Sequence, residues 1–201
     1  MAKASWAVVN PSSGSGNKTV NVSSNEAHTG RVARTTTLTI TAANVEPKTV
    51  SVNQAGKPEY TANNSDTATA IKGGQTVTIS GKSNSAKLTF SLGTGSLAIT
   101  LPTNYTAAGV STANGNAIAG DPGANAEYNW SIAFNVVANA GIEEKSRQII
   151  VTDEAGNTDT CVLTQAAGDA TLTVSKTALE LGWEGTPVSF DITSNTSWAI
   201  S

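Results

Sequence analysis

The chain has 201 residues, 38% hydrophobic, 5% aromatic and 13% charged, with a formal net charge of −3. That is length for one to two domains around a thin core. The acidic balance and the lack of any Lys/Arg cluster exclude a nucleic-acid partner, and no stretch approaches the ~18 apolar residues of a membrane-spanning helix.

Met1 to Trp6 carries neither an apolar signal core nor a lipid-attachment cysteine. The expectation is synthesis in a cytoplasm, with the protein staying there or leaving by lysis. Asn10-Pro11-Ser12-Ser13-Gly14 is a turn signal. After it, Val20/Val22, Leu38/Ile40 and Val50/Val52 alternate with polar residues at the period of a half-buried strand. Lys72-Gly73-Gly74 marks the next turn, and Val77/Ile79 and Leu88/Phe90/Leu92 resume the alternation. Residues 93–128 read as a long insertion of small residues that includes the turn Asp121-Pro122-Gly123. Then come Ile132/Phe134/Val136, Ile149/Val151, the hairpin signal Asp153-Glu154-Ala155-Gly156-Asn157, and Leu172/Val174. No segment has helical spacing beyond a turn. Short strands at this spacing predict an all-β sandwich, with inward residues of two sheets forming the core.

The chain repeats itself. Leu38, Ile40, Val50, Val52 and Gln54 have counterparts in Ile149, Val151, Cys161, Leu163 and Gln165, all at one constant offset, and Arg34 falls on Lys145 in the same step. Val20, Val22 and Asn25 match Phe134, Val136 and Asn139, with the offset slipped slightly by a loop. Gly74, Val77, Ile79, Ser83 and Asn84 recur at the original offset as Gly185, Val188, Phe190, Ser194 and Asn195. Residues 58–168 are therefore one complete repeat, residues 1–57 match its second half, and residues 169–201 match its first third.

Groups able to do chemistry are sparse. The single cysteine, Cys161, lies in the alternation Thr160-Cys161-Val162-Leu163 and reads as a small buried hydrophobe. His28 reads as an exposed turn residue without catalytic companions. Glu143-Glu144 reads as a solvated turn before Arg147, since neighbours on a strand face opposite sides. Asp153, Glu154, Asn157 and Asp159 have the residue types of a calcium cradle without EF-hand spacing, and the preferred reading is a hairpin with no metal. Of four tryptophans, Trp130 belongs to an alternating strand and is assigned to the core. Trp6 and Trp198 are assigned to packing where the two terminal segments would meet, and Trp183 is a turn residue open to a ligand or a partner. No catalytic residue and no cofactor is expected.

Writing the C-terminal segment before the N-terminal one gives Val188 to Ser201 followed by Ala4 to Asn17. Ser194-Asn195-Thr196-Ser197-Trp198, then Trp6, Pro11, Ser13, Gly14, Asn25, Arg34, Val52, Gln54 and Ala55 follow one pattern. This composite resembles the BACON family of bacterial immunoglobulin-like domains. The resemblance covers both terminal segments. The middle repeat keeps Ser83-Asn84 but has Leu88 near the tryptophan position and carries the 93–128 insertion. What the resemblance implies is immunoglobulin-like β-sandwich repeats, with a split BACON-like domain formed by the two chain ends.

Each terminal segment alone is too small to bury a core and leaves strand edges open. A sandwich between them would hold the two segments at opposite poles, roughly 20–35 Å apart. The favoured expectation is that residues 169–201 of one subunit complete residues 1–57 of the next, by strand exchange at a heterologous contact; closure within one chain is the alternative. The junction residues would be Trp6, Val20, Val22, Leu38, Ile40, Val50, Val52, Leu172, Val174, Val188, Phe190, Ile192 and Trp198. By resemblance, such a chain is similar to auxiliary head or tail proteins of crAss-like gut bacteriophages. It would be made in the host bacterial cytoplasm and end in the virion, with copies of itself and a major capsid or tail protein as partners. The second expectation is an adhesion module binding host or mucosal glycans, with 93–128 as its presenting surface. A third, part of a longer secreted protein, predicts further sequence beyond Ser201.

Overall fold

Thr- and Val-rich segments split by Gly, Asn and Pro favour short extended runs over helix, and a computed structural model describing residues 2–201 consists of fifteen strands and one 3₁₀ turn among those residues. In chain order the first unit holds β1 (Ala7–Asn10), β2 (Asn21–Ser24), β3 (Arg34–Ala42) and β4 (Val45–Gln54). The central unit holds β5 (Thr61–Asn63), β6 (Thr67–Ala70), β7 (Gln75–Ser83), β8 (Leu88–Gly95), β9 (Asn104–Ala107) and β10 (Val110–Ala113). It continues through the 3₁₀ turn Pro122–Ala124 to β11 (Tyr128–Val136), β12 (Lys145–Asp153) and β13 (Thr158–Gln165). The last unit holds β14 (Leu172–Val174) and β15 (Ile192–Ser194).

The central unit is a sandwich. One sheet runs β10-β9-β11-β7-β5 and the other β6-β13-β12-β8. All pairs are antiparallel except β6 with β13. Alternation points Tyr128, Trp130, Ile132, Phe134 and Val136 inward from β11, and Ile149, Val151, Cys161 and Leu163 inward from β12 and β13. Trp130, Ile132, Ile149, Val151 and Leu163 are all at most 2% exposed, and each such side chain contributes ~1.5–3 kcal/mol by leaving water. Phe90 crosses between the layers, its ring 5.2 Å from Trp130 in an edge-on contact and 4.9 Å from Tyr105. Cys161 is 1% exposed, and burial raises its thiol pKa above the ordinary value, as the sequence reading of a structural cysteine requires.

Two expectations need correction. The 93–128 insertion, read as lying outside the strand pattern, is built into the sandwich. It supplies β9 and β10 to the five-stranded sheet, with Ala107 opposite Trp130, and it buries Leu97, Tyr105 and Ile118 in the core. Its strands escaped the sequence reading because each is only four residues long. Leu92 keeps the register of Leu88 and Phe90, opposite Ile149, but stands 39% exposed rather than in the core.

The flanking units are bare hairpins. Among the described residues, β1 pairs only with β2, β3 only with β4, and β14 only with β15. The registers of β3–β4 and β14–β15 repeat those of the central sandwich. Arg34↔Gln54, Leu38↔Val50 and Ile40↔Lys48 of β3–β4 reappear one repeat length later as Lys145↔Gln165, Ile149↔Cys161 and Val151↔Asp159 of β12–β13. Thr61↔Ser83, Ala62↔Lys82 and Asn63↔Gly81 of β5–β7 reappear as Leu172↔Ser194, Thr173↔Thr193 and Val174↔Ile192 of β14–β15.

Candidate interaction surface

In the first unit the β3–β4 hairpin pairs Leu38 with Val50 and Thr36 with Val52. The equivalents of Leu38, Val50 and Val52, which are Ile149, Cys161 and Leu163, lie in the central core. Here the hairpin lacks the facing layer, and Ile40 is 53% and Val50 50% exposed. Val20 and Val22 of the neighbouring hairpin are also open. Trp6 and Ala7 are buried, Trp6 beneath Arg34, whose guanidinium carbon lies 4.8 Å from the ring centroid. Arg34 Nε donates to Gln54 Oε1 at 2.8 Å, while its buried Nη2 has no hydrogen-bond partner.

The last unit is equally open. Leu172, Val174, Leu179, Leu181, Val188, Phe190 and Trp198 are exposed, and Trp183 is 95% exposed. Of the thirteen residues expected at a split-domain junction, Trp6 is buried, Leu38, Val52 and Ile192 are half-buried, and the remainder are exposed. Among the described residues, no strand ladder and no hydrogen bond joins 2–57 to 169–201. The first unit attaches beyond the Ser83 end of β7, and the last unit attaches at the Gln75 end, through contacts at Lys72 and Ala140. The nine residues of β7 span about 25–30 Å.

Each attachment is a polar clasp. Asn84 is fully buried at the first joint. Its Oδ1 accepts from Tyr60 N at 2.9 Å, and its Nδ2 donates to the carbonyls of Thr29, Lys57 and Pro58 at 3.2–3.3 Å. Ser83 Oγ donates to Tyr60 O at 2.7 Å. The main chains also bond directly, Arg31 N to Gly123 O and Val32 N to Ala124 O, both at 3.0 Å. This approach requires glycine: a Cβ on Gly30 would strike the Asn125 and Ala124 backbone, and one on Gly123 would strike Asn84. Arg31 makes a two-pronged ion pair with Asp121, which raises the guanidinium pKa chiefly through that hydrogen bond.

Glu127 gathers the remaining polar groups of the joint. Tyr60 OH donates to it at 2.6 Å, Lys82 Nζ at 3.0 Å, and its own N–H donates to Thr29 Oγ1. The tyrosine hydrogen bond, then that of Lys82, holds its carboxyl below the usual carboxylate range. Burial first, then Glu127, pushes the Tyr60 hydroxyl well above its ordinary value.

The second joint repeats the clasp. Asn195 Oδ1 accepts from Thr171 N at 2.8 Å, and its Nδ2 donates to Asp169 O at 2.8 Å and Ala140 O at 2.9 Å. Ser194 Oγ donates to Thr171 O at 2.8 Å. Thr171, Asp169, Ala140 and Ser194 each stand one repeat length beyond Tyr60, Pro58, Thr29 and Ser83. Likewise Lys57 N donates to Gly30 O at 2.8 Å and Gly168 N to Gly141 O at 2.7 Å.

The remaining candidates have local tasks. His28 is half-buried rather than an open turn residue, because its Nε2 bonds Val32 O at 2.7 Å. The Asp153 carboxylate holds Asn157 N and Nδ2, both at 2.8 Å, and Asp159 caps Asn63 N at 2.7 Å. Glu143 and Glu144 lie in the bend before β12. The clasp itself was not assigned from sequence. Its signal was present, since Ser83-Asn84 and Ser194-Asn195 recur in step, but a repeated Ser-Asn does not name its partners. No protein-family model matches the chain, and no curated protein matches it.

Proposed function

We propose that this chain is a non-catalytic structural protein that links copies of itself head to tail by completing split immunoglobulin-like sandwiches of the BACON type. The observation that carries the reading is the pairing of two facts. The β3–β4 hairpin of the first unit and the β14–β15 hairpin of the last keep strand registers of the central sandwich, yet their apolar rows face solvent. An uncovered face of this kind favours association, and the strands missing beside β3–β4 are the kind that the last unit carries. A contact between unlike ends is heterologous and yields a ring or an open chain. The resemblance to auxiliary head or tail proteins of crAss-like phages supports a place in the virion, decorating a capsid or building part of a tail, with a major capsid or tail protein as further partner.

The test is mass by light scattering on the full chain beside a variant lacking residues 169–201. Assembly of the full chain with a monomeric truncation supports the reading. A full chain that stays monomeric at all concentrations overturns it.

A second reading, glycan binding, has one observation in its favour: the Trp183 indole is almost wholly exposed at a turn, the disposition of a sugar-stacking platform. A glycan array probed with the protein and with Trp183→Ala checks it, and binding unaffected by the substitution removes it.

A further inference from the structure

The free edge of β4 is the point at which the central sandwich supplies a template. Its equivalent, β13, carries β12 on one side and the short parallel strand β6 on the other, in the register Val162↔Thr67, Leu163↔Ala68, Thr164↔Thr69 and Gln165↔Ala70. The ladder is extended by Val162 N donating to Asp66 O at 2.8 Å and Ala166 N to Ala70 O at 3.1 Å. Among the described residues, β4 has β3 on one side and no strand on the other.

Advancing β6 by the repeat length leads to Ala178-Leu179-Glu180-Leu181, and moving β13 back by it leads to Ser51-Val52-Asn53-Gln54. We infer that Ala178–Leu181 of a second copy of this chain pairs in parallel with Ser51–Gln54, in the register Ser51↔Ala178, Val52↔Leu179, Asn53↔Glu180 and Gln54↔Leu181. This deepens the proposed head-to-tail reading and rests on it.

Three features carry the register. First, alternation fits. In the central unit Ala68 and Ala70 turn inward beside Leu163 and Gln165, and Ala70, Leu163 and Gln165 are buried. The matching inward positions are Leu179 and Leu181, 40% and 67% exposed in the free chain, while the outward position is Glu180. A slip of one residue would turn Glu180 inward and both leucines outward. Second, Gln165 is 1% exposed, and its Nε2 donates both to Val137 O in the preceding loop at 2.7 Å and to Ile71 O just past β6 at 3.3 Å. Gln54 Nε2 makes only the loop contact, to Glu26 O at 3.2 Å. Its second N–H is left for the carbonyl at the position equivalent to Ile71, which is Gly182. Third, the donor is held away from its own first unit by the length of the central sandwich, and a second copy can present it without that constraint.

The experiment mixes full-length variants that each carry one added cysteine and treats them with a short thiol-reactive cross-linker; Cys161 is buried and stays silent. Val52→Cys with Leu179→Cys is expected to yield covalent dimer across two chains. Val52→Cys with Glu180→Cys, whose side chains leave opposite faces, is expected to yield several-fold less. On the unsubstituted protein, amide exchange at Ser51 and Asn53, which face the free edge as Val162 does in β13, and at Leu179 and Leu181 is expected to slow about tenfold or more on assembly. Equal or stronger linking of the Glu180 pair, or assembly without protection of these four amides, overturns the register and leaves head-to-tail linkage standing. A protein that stays at monomer mass overturns both.

Discussion

Asn84 and Asn195, one repeat length apart, hold equivalent atoms. Each amide oxygen accepts the backbone N–H just before the first strand of its own unit, and each amide nitrogen reaches a carbonyl at the start of that unit and one of the unit before. They differ in cover. Asn84 is fully buried, whereas Asn195 is exposed.

The difference predicts unequal effects of the same substitution. Asn84→Ala orphans buried groups, each costing about 1–3 kcal/mol, and is expected to lower the thermal midpoint clearly. Asn195→Ala is expected to leave the midpoint within a degree or two while loosening the last unit. Calorimetry together with amide exchange at Thr171 checks both.

Gly30→Ala and Gly123→Ala force a methyl into backbone at the first joint. The joint is expected to open while the central core, which contains neither residue, persists. Small-angle scattering should show a larger radius of gyration, with the near-ultraviolet signal of Trp130 little changed.

Acid should weaken the first joint before it weakens the core. The Glu127 pKa is lowered in the folded chain, so its contribution is present above the unfolded value of about 4.3 and is lost as pH falls through the folded value. Glu127→Gln is expected to flatten this acid limb. Denaturant midpoints measured from pH 7 to pH 3 provide the comparison.

Ile40→Asp and Val50→Asp place charge on the open face of the first unit. Because both side chains are about half exposed, the cost to the monomer is expected to stay below about 1 kcal/mol. Leu163→Ala, at the equivalent of Val52 but inside the core, is expected to cost about 2–5 kcal/mol. If the exposed face joins copies, the two aspartate variants abolish assembly without lowering the midpoint.

The lone thiol offers a clock for the central sandwich. Cys161 is 1% exposed and its pKa is raised, so a thiol reagent is expected to modify it only when β12 and β13 separate. Labelling rates that match global unfolding in denaturant bear this out; fast labelling in native buffer contradicts it.

The strands with long alternation were legible in sequence. Val77/Ile79 and Ile132/Phe134/Val136 carry a period of two over whole strands, and the constant offset that takes Leu38 to Ile149 and Ser83 to Ser194 already implied shared registers. Tyr105 and Ala107 were missed because four residues give too short a run to separate alternation from chance. The clasp was illegible for another reason. A buried asparagine is defined by carbonyls from segments as distant as Thr29 and Pro58, and backbone carbonyls leave no mark on side-chain identity. Of the first unit's exposed valines, Val22 and Val50 were correctly seen as strand residues while Val20 falls just before β2, but whether such a face is covered depends on a second layer that the pattern does not encode.

Because the same clasp seats each unit on the one before, both joints repeat a common set of bonds. Connected units with short spacers ordinarily swivel; here the asparagine amide, donating to a carbonyl of the unit before at Thr29 and at Ala140, restrains that freedom. A shape built by iterating one rigid operation is a screw with fixed rise and twist. Any filament extended through this joint would therefore grow in whole increments, acting as a stiff ruler whose length is set by counting.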